Sequence, residues 1–537
     1  GLFRFRPSLP SSFFAAFRLS HSLSLPRLFL SPTYPSVLST HISGVTSLLT
    51  PARHHTKVPP LLTPFRTRSR SSSVGDAQKE RFRQRHRDRQ LKKMAAQEKA
   101  KEMENTYIIP LGEGLPYPPT GETGEERKTR EASLHCPNVQ LEPASDKARQ
   151  ALQFEVHATW GRARASTLVL PHDQVKTPIF MPVGTQGTVK GLTPKMMEDL
   201  DCHIILGNTY HLALRPGGDE LEEFGGLHKF MNWKRNILTD SGGFQMVSLS
   251  ELCTISEEGV VFKNHIDESP ITLTPERSIQ IQNQIGADII MALDDVVTAL
   301  SDDRDRIQQA MERTIRWIDR CFSAHSRPHE QNLFPIVQGG LFPDLREICI
   351  NELVKRDAPG YAIGGLSGGE SKHLFWQIVK YSAERLPSNK PRYCMGVGFP
   401  VDLVVCTALG VDMYDCVYPT RTARFGTALV ESGFLKLKSA EFESDYRPIE
   451  EGCDCPACKH YTRAYIHELI GKEASASILV TQHNIAYQLR LMRNMRNAII
   501  DGTFPDFVRT FMLNQYPNKD YPKWVVDALR EAYISLD

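Results

Sequence analysis

From about residue 153 the chain alternates short apolar runs with longer stretches of helical spacing. The runs are PIFMPVG (178–184), HIILGNT (203–209), ILTDSGG (237–243), DIIMALDD (288–295), LFPIVQGG (333–340), YAIGGLS (361–367), RYCMGVG (392–398) and DMYDCVYPT (412–420). Each is almost continuously apolar and is closed by glycine or a polar residue, the pattern of strands buried on both faces. Between them lie stretches such as PERSIQIQNQIG, DRIQQAMERTIRWIDRCFSA and PVDLVVCTALG, with the apolar spacing of one helix face. Eight buried strands alternating with helices predict an α/β fold, a (β/α)8 TIM barrel over about 151–440. A doubly wound open sheet is the alternative, and the absence of a GxGxxG motif after the first strand counts against it.

The residues before the barrel have a different composition. Residues 1–75 contain no Asp or Glu and are rich in Ser, Pro and Arg. They read either as a transit-like extension or as non-native sequence, since Met94 heads an ordinary N-terminus. Residues 76–105 are charge-dense and read as a solvated helical face, with nucleic-acid contact as the other reading. Residues 106–150, rich in Pro, Gly and Glu, read as linker, so 76–150 is expected as charged helix and linker, disordered. After the barrel, 441–515 reads as a small helical subdomain and 516–537 as a tail.

The totals narrow the possibilities. A 41% apolar content supports a sizeable core, and a net charge of +2 confines any nucleic-acid binding to local patches. Most of the eleven cysteines stand singly inside apolar runs, which suits a reducing compartment. No run of 18 or more apolar residues suggests a transmembrane helix.

Barrel enzymes place their chemistry at the C-terminal ends of the strands. The polar residues of this chain fall there: Asn208, Asp240, Ser241, Asp294, Asp295, Gln338, Ser367 and Asp415. Any one of them could be only a helix cap. Several acids and amides on one rim point to a site. The glycines beside them, including Gly242, Gly243, Gly364 and Gly365, allow backbone to approach a flat ligand. Asp415 and Asp240, on strands eight and three, form a pair suited to sugar-bond chemistry, one as nucleophile and one as acid/base. Asp294 and Gln338 suit the edge of a purine-like ring, and Phe244 could stack on it. After Asp415 the chain is expected to turn through Pro419 into a loop carrying Arg421 and Arg424, which suit phosphate or guanine edges.

A second constellation, CDCPACKHY, puts Cys453, Cys455 and Cys458 at C-x-C-x2-C spacing. With one later histidine this makes a closed, structural four-coordinate zinc site. His483 is preferred by spacing, with His460 and His467 as competitors. Helical flanks suggest that the metal staples a small subdomain to the late barrel strands.

The segments TDSGGFQ, VQGG, AIGGLSGGE, YCMGVG, MYDCVYPTRTARFG and CDCPAC with HNIAY resemble the tRNA-guanine transglycosylase family. The likeness is nearest to the catalytic subunits of its eukaryotic queuine-inserting branch and runs from about Phe154 to about Phe511. It implies exchange of guanine for queuine at the wobble position of tRNAs with GUN anticodons, those for aspartate, asparagine, histidine and tyrosine. A covalent aspartyl-ribosyl intermediate is part of that expectation. By the matching motifs, Asp415 would be the nucleophile and Asp240 the proton acceptor. Asp240, Ser241, Gly242, Gly243, Phe244, Asp294, Gln338 and Gly365 would bind the base. Gly396, Val397, Gly398, Phe399, Pro400, Val401 and Asp402, with Thr420, Arg421, Thr422, Ala423 and Arg424, would contact RNA. Cys453, Cys455, Cys458 and His483 would hold one Zn2+, which resolves the choice of histidine.

Further implications are a heterodimer with an accessory subunit, a cytoplasmic location and peripheral association with the mitochondrial outer membrane. Two departures from the bacterial pattern stand out, Val296 for Cys and Gly368 for a larger aliphatic residue, and the glycine implies room for queuine's cyclopentenediol arm. Other readings fit less well. An accessory subunit would lack the acids present here. The archaeal relatives carry extra C-terminal RNA-binding domains, for which little chain follows Phe511. A barrel metallohydrolase would need paired strand histidines, and His203 and His211 lack that spacing.

Overall fold

The computed structural model of the chain describes residues 151–243, 253–263 and 269–537, with 122–137, 139 and positions 84, 87, 90, 91, 93–100, 102 and 103. The expectation for residues 1–75 lies outside the described residues, as does Phe244.

All eight apolar runs form strands of one parallel barrel: β1 (Ile179–Gly184), β2 (Ile204–Gly207), β3 (Asn236–Thr239), β4 (Ile289–Met291), β5 (Asn332–Phe334 with Ile336–Val337), β6 (Tyr361–Ile363), β7 (Arg392–Cys394) and β8 (Met413–Cys416). β8 pairs with β1, matching Met413 to Ile179 and Asp415 to Met181. β5 closes the ring in two pieces. Its first half pairs with β4 and its second half with β6. The break falls at Pro335, which has no N–H for a ladder and so marks the point where the strand changes partners. Strand residues such as Phe180, Ile237, Ile290, Phe334, Ala362 and Tyr414 are wholly buried, as expected for a sheet covered on both faces.

A four-stranded antiparallel sheet, Gln153–Trp160 and Ala163–Val169 flanked by His135–Pro137 and Gln174–Thr177, closes the opposite end of the barrel. Several of its attachments reach residues that precede barrel strands. Arg164 forks onto Asp412 before β8 and bonds the carbonyls of Ser388 and Lys390. His172 Nδ1 lies 2.6 Å from Asp288 before β4. Asp173 N–H donates to Asn236 at the start of β3.

Residues 106–150, expected as linker, include one strand of that sheet and the helix Gly124–Ser133. Thr123 and Glu126 form a reciprocal capping box there, and the Glu131 carboxylate pairs with Arg509. Composition pointed to a linker, but the cap and a distant ion pair hold residues 122–137 in place.

The longest helix at the C-terminal end, Ala474–Ile500, crosses from the cysteine cluster to the barrel. Its Arg496 reaches the carbonyls of Ser166 and Thr177. Among the described residues no helix is long and apolar enough to cross a membrane.

Candidate active site and metal centre

Asp415 ends β8 with its carboxylate held on one side. Its Oδ1 accepts from the Tyr393 hydroxyl at 2.6 Å and from Gly396 N–H at 2.9 Å, while Oδ2 receives no hydrogen bond from the described residues. Burial raises the Asp415 pKa above the ordinary carboxylate range, and the two donors oppose the rise. A carboxylate buried this way is a stronger base and nucleophile than one in water.

Asp240 follows β3. Its Oδ1 accepts from Thr209 N–H at 2.9 Å and its Oδ2 from the Asn208 side chain, at the start of the helix Thr209–Leu214. Thr209 Oγ1 donates to the Asp240 carbonyl. Burial pushes the Tyr393 phenol far up, and the charges of both Asp415 and Asp240 push it further, so one phenol lies in the field of both acids.

A second network fills the floor beside them. Ser241 Oγ donates to Asp294 Oδ1 at 3.2 Å, and Gln338 Nε2 donates to Asp294 Oδ2 at 2.7 Å. Burial raises Asp294 to about 6, the largest effect on it, against the pull of those two donors. Gly242 and Gly365 have φ of +83° and +68°, and a Cβ on Gly365 would stand 2.5 Å from Gln338 Oε1, so both glycines are required there. The structure thus gathers Asp240, Ser241, Asp294, Gln338 and Gly365 into one connected group. The neighbouring Asp295 belongs elsewhere. It is wholly buried, paired with Arg306 and Arg313, and accepts nothing from Ser241 or Gln338.

The expected loop after Asp415 is a short helix, Tyr418–Arg424, with Pro419 in its first turn. Proline is tolerated there because a first-turn N–H has no helical partner. Arg421 and Arg424 are exposed, whereas Thr420 and Ala423 are buried against the fold. Phe399 is half exposed and its ring centroid lies 4.1 Å from that of Tyr418. Gly396 ties its segment to Asp415, Pro400 opens the helix Pro400–Ala408, and Asp402 is buried under the Lys372 ammonium.

Two supporting residues were missed by sequence reasoning. Tyr393 stands inside an apolar run where nothing distinguishes it from core. Arg346 is fully buried and donates to the carbonyls of Gly340, Val337 and Gly364, so one guanidinium ties the ends of β5 and β6 together. Burial lowers its pKa to about 10. A lone arginine within the apolar helix PDLREICINELV was the available signal.

The cysteine cluster is closed by His483. Its Nδ1 lies 3.7, 3.6 and 3.3 Å from the sulfurs of Cys453, Cys455 and Cys458, and the four ligand atoms lie within 4.8 Å of one another. His483 Nε2 donates to the Leu429 carbonyl at 2.7 Å, which leaves the Nδ1 lone pair facing the sulfurs. Arg490 adds a cation beside Cys453, 3.1 Å from its sulfur. This group can hold a metal ion.

The next residue, Asn484, accepts from Leu429 N–H and donates to the carbonyls of Pro419 and Thr427. Gln488 donates to the Gly398 carbonyl at 2.6 Å. One helix face therefore serves both the cysteine cluster and the segments flanking Asp415.

His172, His228 and Asp288 also converge, at the opposite end of the barrel. The two rings stack 3.6 Å apart and 9° from parallel, and each reaches a different Asp288 oxygen. Parallel rings send their in-plane lone pairs side by side, not to a common point, so this is a hydrogen-bonded clamp and not a metal centre.

A family model described as queuine tRNA-ribosyltransferase matches residues 159–517. The chain is 54% identical over 397 residues to a queuine tRNA-ribosyltransferase catalytic subunit of Schizosaccharomyces pombe, covering 72% of this chain and 98% of that protein. It is 50% identical over 401 residues to the same subunit of Caenorhabditis elegans, covering 72% and 100%. It is 49% identical over 378 residues to a Thermus thermophilus queuine tRNA-ribosyltransferase, covering 70% and 97%.

Proposed function

The chain belongs to the queuine tRNA-ribosyltransferase family, and on that premise we propose that it exchanges guanine for queuine at the wobble position of tRNAs with GUN anticodons. The observation that carries the reading is the Asp415 carboxylate, fixed at Oδ1 by two donors beside the field of a second acid.

Asp415 Oδ2 attacks the anomeric carbon of the ribose from the face opposite the base. The carbon–nitrogen bond breaks, its electron pair leaves on guanine, and an aspartyl–ribosyl ester forms. Asp240 gives a proton to the departing ring nitrogen and takes one from the incoming base. The lone pair thus freed displaces the ester, and two inversions retain the sugar configuration. Asp294, with Ser241 and Gln338 around it, accepts N–H groups from the edge of the base while ionised. Gly365 lets that edge approach the backbone. Arg421 and Arg424, with the rim segment 396–402, contact the RNA near the wobble nucleotide.

Cys453, Cys455, Cys458 and His483 hold one zinc ion per chain. The 3.3–3.7 Å between His483 Nδ1 and the three sulfurs suits four donors that would converge on one small ion. Bound zinc supplies structural cross-linking, since four protein ligands leave no open position.

The working unit is a heterodimer with an accessory subunit, cytoplasmic and peripheral on the mitochondrial outer membrane. The name "catalytic subunit" borne by the fungal and worm relatives supports the first part of that reading.

Trapping tests the mechanism. Wild-type chain and Asp415→Asn, each with the accessory subunit and an anticodon stem-loop carrying a GUN triplet, are run on denaturing gels, with radiolabelled guanine exchange in parallel. A shifted protein–RNA band and label uptake in wild type alone are expected. A band that persists in the Asn variant would remove Asp415 as nucleophile.

A further inference from the structure

The helical residues 93–100, 102 and 103, ahead of the barrel in sequence, do not behave as a solvated face at their C-terminal end. Ala100 and Met103 are buried. Met103 shares an apolar cluster with Leu341, Leu374 and Ile378, against which Leu300 and Leu366 pack. Lys99 Nζ lies 3.1 Å from Asp302 at the outer edge of this contact.

The partners come from three successive connections on the catalytic side of the barrel. Leu300 and Asp302 follow β4, Leu341 follows β5, and Leu366 with the helix Lys372–Arg385 follows β6. The same connections carry Asp294, Gln338 and Gly365.

Two of them also meet edge to edge. A Cβ on Gly368 would stand 3.2 Å from Ala299 Cβ, and one on Gly369 would stand 3.3 Å from Leu300 Cδ1. Residues 295–303 form no helix or strand of their own. Their position therefore depends on what packs against them, and Met103 covers the next residues along the same seam.

We propose that residues 93–100, with 102 and 103, form a strap that sets the width of the pocket beside Gly368, with Met103 as the positioning residue that determines how large a substituent the incoming base can carry. Met103 acts through Leu300 and Leu366 and touches no reacting atom. The inference rests on the base-exchange reading above. Guanine carries no such substituent and queuine does, so the two bases separate this effect from general damage.

The test uses the full chain with its accessory subunit, as wild type, Met103→Ala and Met103→Leu. Amide hydrogen exchange is followed across 298–302 and 366–370, and steady-state uptake is measured for guanine, queuine and tRNA. In Met103→Ala the amides of both loops should exchange about tenfold faster. KM for queuine should rise about tenfold while the values for guanine and tRNA hold within about twofold. Met103→Leu, similar in volume, should restore both readouts. Unchanged exchange in the two loops would overturn the proposal, and so would an equal rise in KM for both bases and tRNA. If Met103→Ala does not fold, Met103→Val removes less volume and is read by the same criteria. Absence of base exchange in wild type would instead remove the underlying activity, and hydrogen exchange would still decide whether the strap orders these loops.

Discussion

The Tyr393 hydroxyl donates to Oδ1 of Asp415 at 2.6 Å, from a side chain that has no exposure to solvent. A charge-assisted bond of this kind contributes about 1.5–3 kcal/mol, and here it opposes the rise that burial imposes on the carboxyl. Tyr393→Phe should lower kcat by roughly ten- to a hundredfold with little change in KM for tRNA. The acid limb of the pH–rate profile should move to higher pH, because the carboxyl loses a donor that favours its ionised form. A profile that stays in place would separate Tyr393 from the ionisation of Asp415.

Asp294 gives a second pH dependence. With its pKa at about 6, it is ionised and able to accept from a base edge above that value and protonated below it. KM for the incoming base should climb about tenfold per pH unit below about pH 6 and level off above. Asp294→Asn should remove the dependence while weakening base binding. Uptake of labelled guanine between pH 5 and pH 8 checks both.

The cysteine cluster and the segments flanking Asp415 are joined through one helix. Cys458→Ser should reduce bound zinc from about one per chain to near zero and soften the chain around His483. Asn484→Ala should keep the metal and still lose activity, because it frees the carbonyls of Pro419 and Thr427 and the Leu429 N–H. Each buried group left unpaired costs about 1–3 kcal/mol. Metal content by elemental analysis beside exchange rate distinguishes the two variants, and an Asn484→Ala chain of normal activity would break the link.

The clamp at the far end of the barrel predicts a change in stability with pH. The hydrogen bond to Asp288 raises the His172 pKa above its unfolded value, outweighing burial. A raised histidine contributes its full stabilisation below about pH 6.5 and loses it as pH rises through the folded value. The ring is partly exposed, so solvent screening holds the contribution to about 1 kcal/mol or less. Urea midpoints for wild type and His172→Ala should differ more at pH 6 than at pH 8.5.

Gly368 carries a steric prediction. Its absent Cβ would already press on Ala299 at 3.2 Å. Gly368→Val should therefore cut queuine uptake at least about tenfold and spare guanine exchange more. Unchanged queuine uptake would show that the arm of the base lies elsewhere.

The sequence made the barrel legible because strands buried on both faces leave long apolar signatures with polar residues at one end. It did not show that β5 switches partners at Pro335, since a single apolar run reads the same whether it has one neighbour or two. Pro419 suggested a loop and in fact opens a helix, because proline suits a turn and a first helical turn equally well. Asp294 and Asp295 were indistinguishable as a pair, yet one faces the pocket and the other an arginine clamp. Tyr393 and Arg346 act through partners far away in the chain, a relationship that no local pattern records.

The four-stranded sheet that closes the far end of the barrel also bears on traffic. The barrel interior is filled by buried side chains on the strand face that carries Asp415, such as Met181, Tyr393 and Met413, and the opposite mouth is shut by the contacts of Arg164 and His172. On the base-exchange reading, the outgoing base, the incoming base and the RNA would all use one doorway. With the sugar attached to Asp415, the departing purine would have to pass the RNA strand that still covers its exit. Turnover would then be governed by how readily the bound RNA shifts aside, and a shorter stem-loop should release the first base sooner than a full-length tRNA.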